Sequence, residues 1–532
     1  MRYQSTRNKA ISISSAEAIA NGLSADGGLY VPATLPVLTS AAISEMVPMR
    51  YNERAAFVLS LFLDDFSMHE LNSFAAEAYR TASSSSSGDI SSSEKLPDPY
   101  EPTDSNLSSG SYVPLHSSGF FHPSVAPLHR LDRSTYFLEL WHGPTCAFKD
   151  MALQILPYLL SASIKRTNES RNVCILTATS GDTGKAALEG FSGVEGTKIA
   201  VFYPKGGVSE VQRLQMVTQE GNNVCVFAVE GNFDDTQAGV KRLFSDELLR
   251  AELDARGFFL SSANSINWGR LAPQIAYYVS AYCDLVASED IKVGDKINFC
   301  VPTGNFGNIL SAWYAERIGL PVNKLICASN RNDVLTQFFA TGAYDRNRPF
   351  YSTISPSMDI LVSSNLERLL FEVSGKNSDA MSEYMSALSN AGRYEISDII
   401  RSELGRMFTG FCCSEDDTKR TIAETFKKRG YLIDTHTAVA FKSINDYREQ
   451  SGDSTPSVVV STASPFKFCE SVLQALGVFP PANGLESTNL LSEITGCPVP
   501  PPLSELLDKK ERFTGSLTVH EMRDAVRDFL YV

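Results

Sequence analysis

Short, continuous runs of apolar and β-branched residues recur along most of the chain, and segments of helix length separate them. These runs predict strands at 173–176, 198–203, 224–229, 297–301, 325–328 and 458–460. Between them, apolar residues fall at helical spacing, as at 208–218 and 268–286. Strands that are apolar on both faces and alternate with helices are typical of βαβ units around a buried parallel sheet. The sequence therefore predicts an α/β fold.

A serine-rich segment interrupts this pattern at 83–111, where 29 residues include 12 serines, three prolines and almost no large apolar groups. Such a segment cannot bury enough surface to offset its ordering entropy, so we predict a disordered surface insertion. It separates a small N-terminal unit, 1–82, from a large α/β domain at 112–480. Within that domain, 346–430 lacks the strand pattern and is predicted to be mainly helical. A C-terminal extension is predicted at 481–532.

Composition and charge narrow the class of protein. The 532 residues are 43% hydrophobic and 20% charged, as in ordinary globular proteins. A net charge of -14 disfavours nucleic acid or an anionic membrane as the main partner, because both need a basic surface. The sequence has no apolar run of membrane-spanning length, residues 1–8 lack the apolar core of a secretory signal, and the ten cysteines lack metal-site spacing. We therefore expect a cytoplasmic protein with reduced thiols and no metal.

Three loops rich in glycine and hydroxyl residues follow predicted strands, at 177–184, 302–308 and 461–464. In open parallel sheets, ligands bind beyond the carboxyl ends of strands, where loops gather N–H groups around a phosphate or carboxylate. Each loop taken singly is also explained by a helix-capping turn. The first loop does not form a nucleoside triphosphate-binding P-loop, because Thr179 and Ala186 occupy two of that motif's four fixed positions.

The most unusual segment is 139–150, ELWHGPTCAFKD, in which Lys149 precedes a predicted helix at 151–160. A lysine at a helix start among Phe, Cys and Trp loses hydration and meets the positive end of the helix, and both effects favour the neutral amine. A neutral amine can form a Schiff base, whereas a surface lysine that reaches solvent is the alternative. Cys146 is either a nucleophile or a packed thiol. His436 either lines the cleft or makes a structural hydrogen bond.

Together these motifs resemble the threonine synthase family of pyridoxal-phosphate (PLP) enzymes of fold type II. The matching segments are SADGGL at 24–29, HGPTCAFKD at 142–150, TSGDTG at 179–184, NSINW at 264–268, PTGNFGN at 302–308, SPSMDIL at 355–361, SSNLER at 363–368, HTAV at 436–439 and STA at 461–463. They occur in the family's order, and only the serine-rich insertion lies outside the resemblance. The resemblance implies a tryptophan synthase β-like fold with doubly wound, mostly parallel sheets in two lobes, a small N-terminal domain and a helical insertion.

The resemblance also implies roles for single residues. Lys149 matches the lysine that carries PLP and moves protons. The residues that match the cofactor-phosphate loop are Gly304, Asn305, Phe306 and Asn308, and Thr462 matches the hydroxyl residue beside the pyridine nitrogen. Implied substrate-binding residues are Ser180, Gly181, Asp182, Thr183, Asn264 and Arg270. The cations near the cleft motifs that could bind a substrate phosphate are Lys185, Lys205, Arg270 and Lys467. Asn308 and Ser464 depart from the family pattern, since many relatives have aspartate and histidine there.

The implied activity is that of a PLP-dependent carbon–oxygen lyase, the last enzyme of threonine biosynthesis. It would convert O-phospho-L-homoserine and water to L-threonine and phosphate by γ-elimination and β-addition. One alternative is a phospholyase on the same scaffold, which would give 2-oxobutyrate. Another is a cofactor-binding protein that has lost catalysis. The implied partner is thus a small-molecule substrate, and both monomers and homodimers fit the family.

Overall fold

The computed structural model describes residues 1–81, 119–481 and 483–531, so the insertion predicted at 83–111 lies outside the described residues. The strands are β1 (Tyr3–Ser5), β2 (Tyr30–Pro32), β3 (Leu128–Arg130), β4 (Thr135–Glu139), β5 (Asn172–Ala178), β6 (Thr197–Pro204), β7 (Val224–Val229), β8 (Phe258–Ser261), β9 (Ile297–Pro302), β10 (Val322–Ser329), β11 (Ala343–Asp345), β12 (Arg393–Glu395), β13 (Phe408–Cys412), β14 (Ser457–Ser461) and β15 (Ser516–Leu517).

The helices surround and connect these strands. They are α1 (Ser15–Asn21), α2 (Ser40–Met46), α3 (Tyr51–Phe62), α4 (Met68–Ala78), α5 (Asp150–Leu153), α6 (Leu156–Arg166), α7 (Asp182–Phe191), α8 (Glu210–Val217), α9 (Phe233–Ser245), α10 (Glu247–Ala255), α11 (Trp268–Ala287), α12 (Gly307–Ile318), α13 (Val334–Thr341), α14 (Leu366–Val373), α15 (Ser378–Ala391), α16 (Asp398–Met407), α17 (Glu415–Arg429), α18 (Thr435–Ser451), α19 (Cys469–Ala475), α20 (Gly484–Thr495), α21 (Pro501–Ser504) and α22 (Met522–Tyr531). Short 3-10 helices lie at Pro356–Met358, Pro465–Phe468 and Glu505–Asp508.

Two separate sheets form the centres of two lobes. One has five parallel strands in the order β15-β7-β6-β5-β8. The other has six strands in the order β13-β10-β9-β14-β4-β3, and only the edge pair β3–β4 is antiparallel. The central strands β9 and β14 are buried along their whole length, which explains why their sequences are mostly apolar. This arrangement confirms the predicted mostly parallel α/β fold.

Each predicted strand run lies within an observed strand, and the helices predicted at 208–218 and 268–286 appear as α8 and α11. The helix predicted at 151–160 is instead divided into α5 and α6, and a proline lies in the first turn of α6. The segment 346–430 is largely helical but contributes β13, which pairs with β10 at the edge of the larger sheet. Its sequence, FTGFC, gave no strand signal because an edge strand is only partly buried and carries a glycine. That glycine, Gly410, lies against the backbone of Thr336, where a Cβ would come within 2.8 Å of the Thr336 Cα. The domain boundaries stay predictions.

The N-terminal unit packs on the larger lobe through the buried ring of Trp268. This residue begins α11, has no exposed surface, and lies 5.4 Å from the Tyr3 ring, 5.9 Å from Phe62 and 5.4 Å from Tyr314. The buried Arg368 side chain reinforces this junction by donating to the Tyr30 carbonyl at 3.0 Å. The described part of the chain contains no helix with the length and apolar character to cross a membrane.

We expect Trp268→Ala to destabilise the protein by about 3–5 kcal/mol, because it removes a large buried ring and leaves a cavity at this junction. The midpoint of urea unfolding, followed by circular dichroism, measures the change. Phe479→Ala is the matched control, since the Phe479 ring is 93% exposed and its loss should change the midpoint little. Equal midpoints for Trp268→Ala and wild type would contradict the assigned packing.

Candidate functional site

A cavity of about 1550 Å³ lies where the carboxyl ends of the two sheets face each other. The loops after β4, β5, β9 and β14 all reach it and contribute, among others, Lys149, Thr179, Gly304 and Thr462. Convergence of these loops is the expected result of parallel pairing, because the carboxyl ends of parallel strands share one edge of a sheet. The three glycine- and hydroxyl-rich loops of the sequence therefore meet in one place.

Lys149 occupies the N-cap position of α5 and is 11% exposed. Its Nζ lies 3.6 Å from Asp182 Oδ2 and 4.8 Å from the centre of the Phe148 ring. Burial lowers the pKa of the Lys149 amine to about 8, with Asp182 opposing the shift and Arg270 and Lys467 adding to it. A fraction of this amine is therefore neutral near pH 7, as the helix-start position predicted.

The loop that carries Lys149 is held by a buried carboxylate and by backbone pairing. Asp150 accepts hydrogen bonds from the Thr145 N–H at 2.8 Å and the Thr145 hydroxyl at 2.7 Å. Phe148 N–H donates to the Thr462 carbonyl at 2.8 Å, so the loop after β14 fixes the loop after β4. Burial raises the pKa of Asp150 to about 6, although the Thr145 donors oppose that shift. These contacts set the direction of the Lys149 side chain.

Asp182, at the start of α7, is the only carboxylate that the described contacts place within ion-pair distance of Lys149. It also pairs with Lys467 Nζ at 2.7 Å and accepts from Gln212 Nε2 at 2.8 Å. Burial alone would raise the pKa of Asp182, but Lys467, Lys149 and the Gln212 hydrogen bond hold it well below its usual value. Asp182 is therefore an ionised, buried carboxylate between two lysines.

The loop after β9 forms a close cradle at the N-terminus of α12. A Cβ on Gly304 would lie 2.5 Å from the carbonyl oxygen of Ser357, so only glycine fits there. Phe306 adopts a left-handed conformation, with φ of 63°, and its buried ring packs near Phe339 and Phe408. The packing holds this strained conformation. Helix α12 then begins at Gly307 and directs its free N–H groups toward the cavity, which suits an anion.

Asn308, in the first turn of α12, adds a side-chain donor to this cradle. Its Oδ1 accepts from the hydroxyls of Tyr277 at 2.5 Å and Tyr278 at 2.6 Å. The two donors fix the orientation of the amide, and Nδ2 is then buried without a hydrogen-bond partner among the described residues. Asn305 also lines the cavity, and its backbone carbonyl accepts a hydrogen bond from Asn365 Nδ2 at 3.0 Å. The unpaired Asn308 Nδ2 is thus placed to donate a hydrogen bond to a ligand oxygen.

Of the six residues predicted to bind substrate, the structure places four in the lining of the cavity and two outside it. Ser180, Thr183, Asn264 and Arg270 line the cavity. Gly181 instead faces Gln212, since a Cβ there would lie 2.5 Å from the Gln212 side chain, and the Asp182 carboxylate is engaged by the two lysines. An ionised carboxylate would repel the carboxylate of an amino-acid substrate, so Asp182 is better suited to hold Lys149 and Lys467.

Among the four predicted phosphate-binding cations, Arg270 alone lines the cavity. It is 3% exposed, donates to the Ala263 carbonyl at 2.8 Å, and its Nε has no partner among the described residues. Burial lowers the pKa of Arg270 to about 10, which leaves it cationic at neutral pH. Lys185 is bonded to Glu189 and Gln219, and Lys205 is exposed and paired with Glu230. Of these four cations, Arg270 is thus the one available to a ligand in the cavity.

His436 is a site residue whose environment the sequence left open, and it both lines the cavity and makes structural hydrogen bonds. Its Nε2 accepts from the Ser357 N–H at 3.2 Å, so its Nδ1 carries the proton and donates to Asp434 at 2.8 Å.

Ser464 is fully buried and its hydroxyl accepts from the Phe466 N–H at 3.3 Å. Cys146 is also fully buried, and burial raises the pKa of its thiol, so it is a packed thiol.

Two contributors to the site were given no role by the sequence analysis. Gln212 lies on α8 and Ser357 in a 3-10 turn, and both reach the site only because the chain returns to it. Ser357 belongs to a segment that resembles the family, SPSMDIL at 355–361, whereas Gln212 is an ordinary capping residue without a distinctive motif. Their roles follow from hydrogen bonds to Asp182 and His436.

The sequence matches three family models in order along the chain. The model described as "Threonine synthase N terminus" matches residues 2–79, "Pyridoxal-phosphate dependent enzyme" matches 120–464, and "Threonine synthase, C-terminal" matches 437–529. A threonine synthase of Pseudomonas aeruginosa is 38% identical over 475 residues, which cover 89% of this chain and 90% of that protein. Threonine synthase-like 1 of Homo sapiens is 38% identical over 472 residues, covering 87% of this chain but only 58% of that longer protein.

The fold is similar to that of a solved relative over nearly its whole length. A crystal structure of PLP-bound threonine synthase from Brucella melitensis has a TM-score of 0.82 and 35% identity, and the match covers 99% of each chain. The likeness therefore includes both lobes and the loops between them.

We expect Gly304→Ala to weaken binding of pyridoxal 5'-phosphate by the cavity about tenfold or more, because the new methyl group would displace backbone rather than a mobile side chain. Titration of the protein stripped of cofactor, followed by absorbance, measures the affinity. Gly405→Ala is the matched control, since a Cβ at that position would meet nothing within 4 Å. Unchanged affinity in Gly304→Ala would show that the cradle lies elsewhere.

Proposed function

Because the chain belongs to the threonine synthase family of PLP-dependent enzymes, we propose that it converts O-phospho-L-homoserine and water to L-threonine and phosphate. The enzyme class, a PLP-dependent lyase, follows from the family. The substrate and the role of each site residue are the proposal. The observation that carries it is the partly neutral amine of Lys149, which faces the cavity beside the glycine cradle and the available cation Arg270.

The residues present fit PLP. Gly304, the α12 N-terminus and the unpaired Asn308 amide together offer donors and space for its phosphate. Lys149 supplies the amine that would hold its aldehyde carbon, and Thr462 lines the same cavity from the opposite loop. When bound, PLP withdraws electrons from the substrate's carbon chain and makes its α proton easier to remove. A neutral hydroxyl such as that of Thr462 at the ring nitrogen would moderate this withdrawal without enforcing ring protonation.

Lys149 is the proposed proton carrier. Lys149 would hold PLP in the resting enzyme, and its amine, once free, would be positioned to take the substrate's α proton and later return a proton to the carbon chain. A base with a pKa of about 8 exchanges protons readily near neutral pH, in both directions. The hydrogen bond from Phe148 to Thr462 and those from Thr145 to Asp150 hold the loop that carries this amine at the cavity.

Arg270 is the proposed partner of the substrate phosphate. It is buried, cationic and without a carboxylate partner among the described ion pairs, so a phosphate entering the cavity would satisfy it. Ser180, Thr183 and Asn264 line the cavity as neutral donors, which suit the substrate carboxylate. Both ring nitrogens of His436 already have hydrogen-bond partners, at Asp434 and at the Ser357 N–H.

We also propose a cytoplasmic location for the enzyme. All ten cysteines are unpaired, which fits a reducing compartment.

Incubation of the PLP-loaded protein with O-phospho-L-homoserine should release threonine and phosphate in equal amounts. Amino-acid analysis and a phosphate assay measure them. Lys149→Ala should abolish threonine release and the visible absorbance of lysine-bound PLP, because it removes the amine that lines the cavity at the start of α5. Dominant formation of 2-oxobutyrate, with little threonine, would instead assign a phospholyase.

Arg270→Gln should raise KM for O-phospho-L-homoserine about 10- to 100-fold, because it removes a charge-assisted interaction with the phosphate. Steady-state kinetics measure the change, and the absorbance of bound PLP should be retained. Lys205→Gln is the control, because Lys205 is exposed and lies outside the cavity lining. A KM that rises for Lys205→Gln and stays constant for Arg270→Gln would reverse the assignment.

A further inference from the structure

Lys467 is a fully buried lysine that the proposed reaction does not use. It lies in the 3-10 turn after β14, has no exposed surface and is absent from the cavity lining. Its Nζ donates to the Thr145 carbonyl at 2.8 Å and pairs with Asp182 Oδ1 at 2.7 Å. Because it does not reach the cavity, Lys467 cannot contact a ligand bound there.

The Asp182 carboxylate divides its two oxygens between two lysines. Oδ1 accepts hydrogen bonds from Lys467 Nζ and Gln212 Nε2. Oδ2 lies 3.6 Å from Lys149 Nζ, which is longer than a hydrogen bond. The tighter partner is thus the lysine that does no chemistry. We propose that Lys467 is a positioning residue that draws the Asp182 carboxylate away from Lys149 and so keeps the Lys149 amine available in its neutral form.

The sign of this effect follows from the charges that face Lys149 from each neighbouring element. Asp182 on α7 is the negative group and raises the pKa of the amine. Arg270 on α11 and Lys467 in the turn after β14 are positive and lower it, as does burial, which is the largest effect. Removing Lys467 would remove a positive charge and free Asp182 for Lys149, and both changes would raise the pKa of the amine.

The turn geometry explains why a lysine can be held there without solvent. Thr145 donates to Asp150 through its N–H and hydroxyl, and its carbonyl accepts from Lys467 Nζ. Both buried charged side chains are therefore hydrogen-bonded to the same residue, Thr145. Asp150 is the other acid near Lys467, and that lysine lowers the pKa of Asp150. The direct ion pair of Lys467, however, is with Asp182.

This inference rests on the proposed role of Lys149, and the test separates the two. Protein stripped of PLP is acetylated with trace acetic anhydride over a range of about pH 6 to 11, and mass spectrometry follows the modification of Lys149. In wild type the midpoint should lie at about 8. We expect Lys467→Met to raise the midpoint by about one pH unit, and Asp182→Asn to lower it by a similar amount.

The double variant Asp182→Asn with Lys467→Met should have a midpoint above that of Asp182→Asn alone and close to wild type. This comparison tests Lys467 even if Lys467→Met by itself folds poorly. The double variant removes both the Asp182 carboxylate and the Lys467 ammonium, so neither charge is left buried without the other. Lys467→Arg should keep the wild-type midpoint, since it keeps the charge. Lys185→Met is the matched control, as it removes another buried lysine that is bonded to Glu189 and Gln219 rather than to Asp182.

A midpoint that is unchanged or lower in Lys467→Met, or a double variant equal to Asp182→Asn, would overturn the inference. In parallel, visible absorbance after addition of PLP reports whether Lys149 binds the cofactor in wild type. Absence of that absorbance would overturn the proposed function. Normal absorbance with no midpoint shift would leave the proposed function standing and remove only the role of Lys467.

Discussion

The buried carboxylate of Asp182 is the interaction on which the site depends. It belongs to α7 of the five-stranded lobe, whereas Lys149 and Lys467 follow strands β4 and β14 of the six-stranded lobe. One ionised side chain thus connects the two lobes at the floor of the cleft. Leaving such a charge buried without partners would be costly, so the two lysines and Gln212 must be held close to it. The loop that carries Lys149 is fixed by the same requirement.

A second constraint is the contrast between the acidic chain and its cleft. The net charge of -14 repels anions at long range. Inside the cavity, however, Arg270 Nε and Asn308 Nδ2 have no hydrogen-bond partner among the described residues, and α12 presents its N-terminus. In a desolvated cleft such local donors act more strongly than distant surface charges, which solvent and salt screen. Anion binding therefore depends on a few buried groups and not on the overall charge.

The sequence predicted much of the fold and part of the site. Continuous apolar runs marked the buried central strands, because parallel strands covered on both faces need no polar positions. The edge strand β13 was missed, since its partial burial and Gly410 removed that signal. Lys149, the loop with Gly304 and Phe306, and Thr462 were predicted from motifs, and the structure places them around one cavity. Asp182, expected near a substrate carboxylate, is instead committed to two lysines.

The sequence by itself determined the local chemistry: the lysine at a helix start, the glycines at strand ends and the parallel α/β pattern. These properties depend on neighbours within a few residues, which a sequence displays directly. Only the tertiary structure decided which of the four cations predicted to bind phosphate lines the cavity, and which neutral groups face it. It also decided that Lys467 and Lys149 share the Asp182 carboxylate. Those outcomes depend on distances between residues far apart in the chain, and a charge becomes available or committed only when folding brings its partners together.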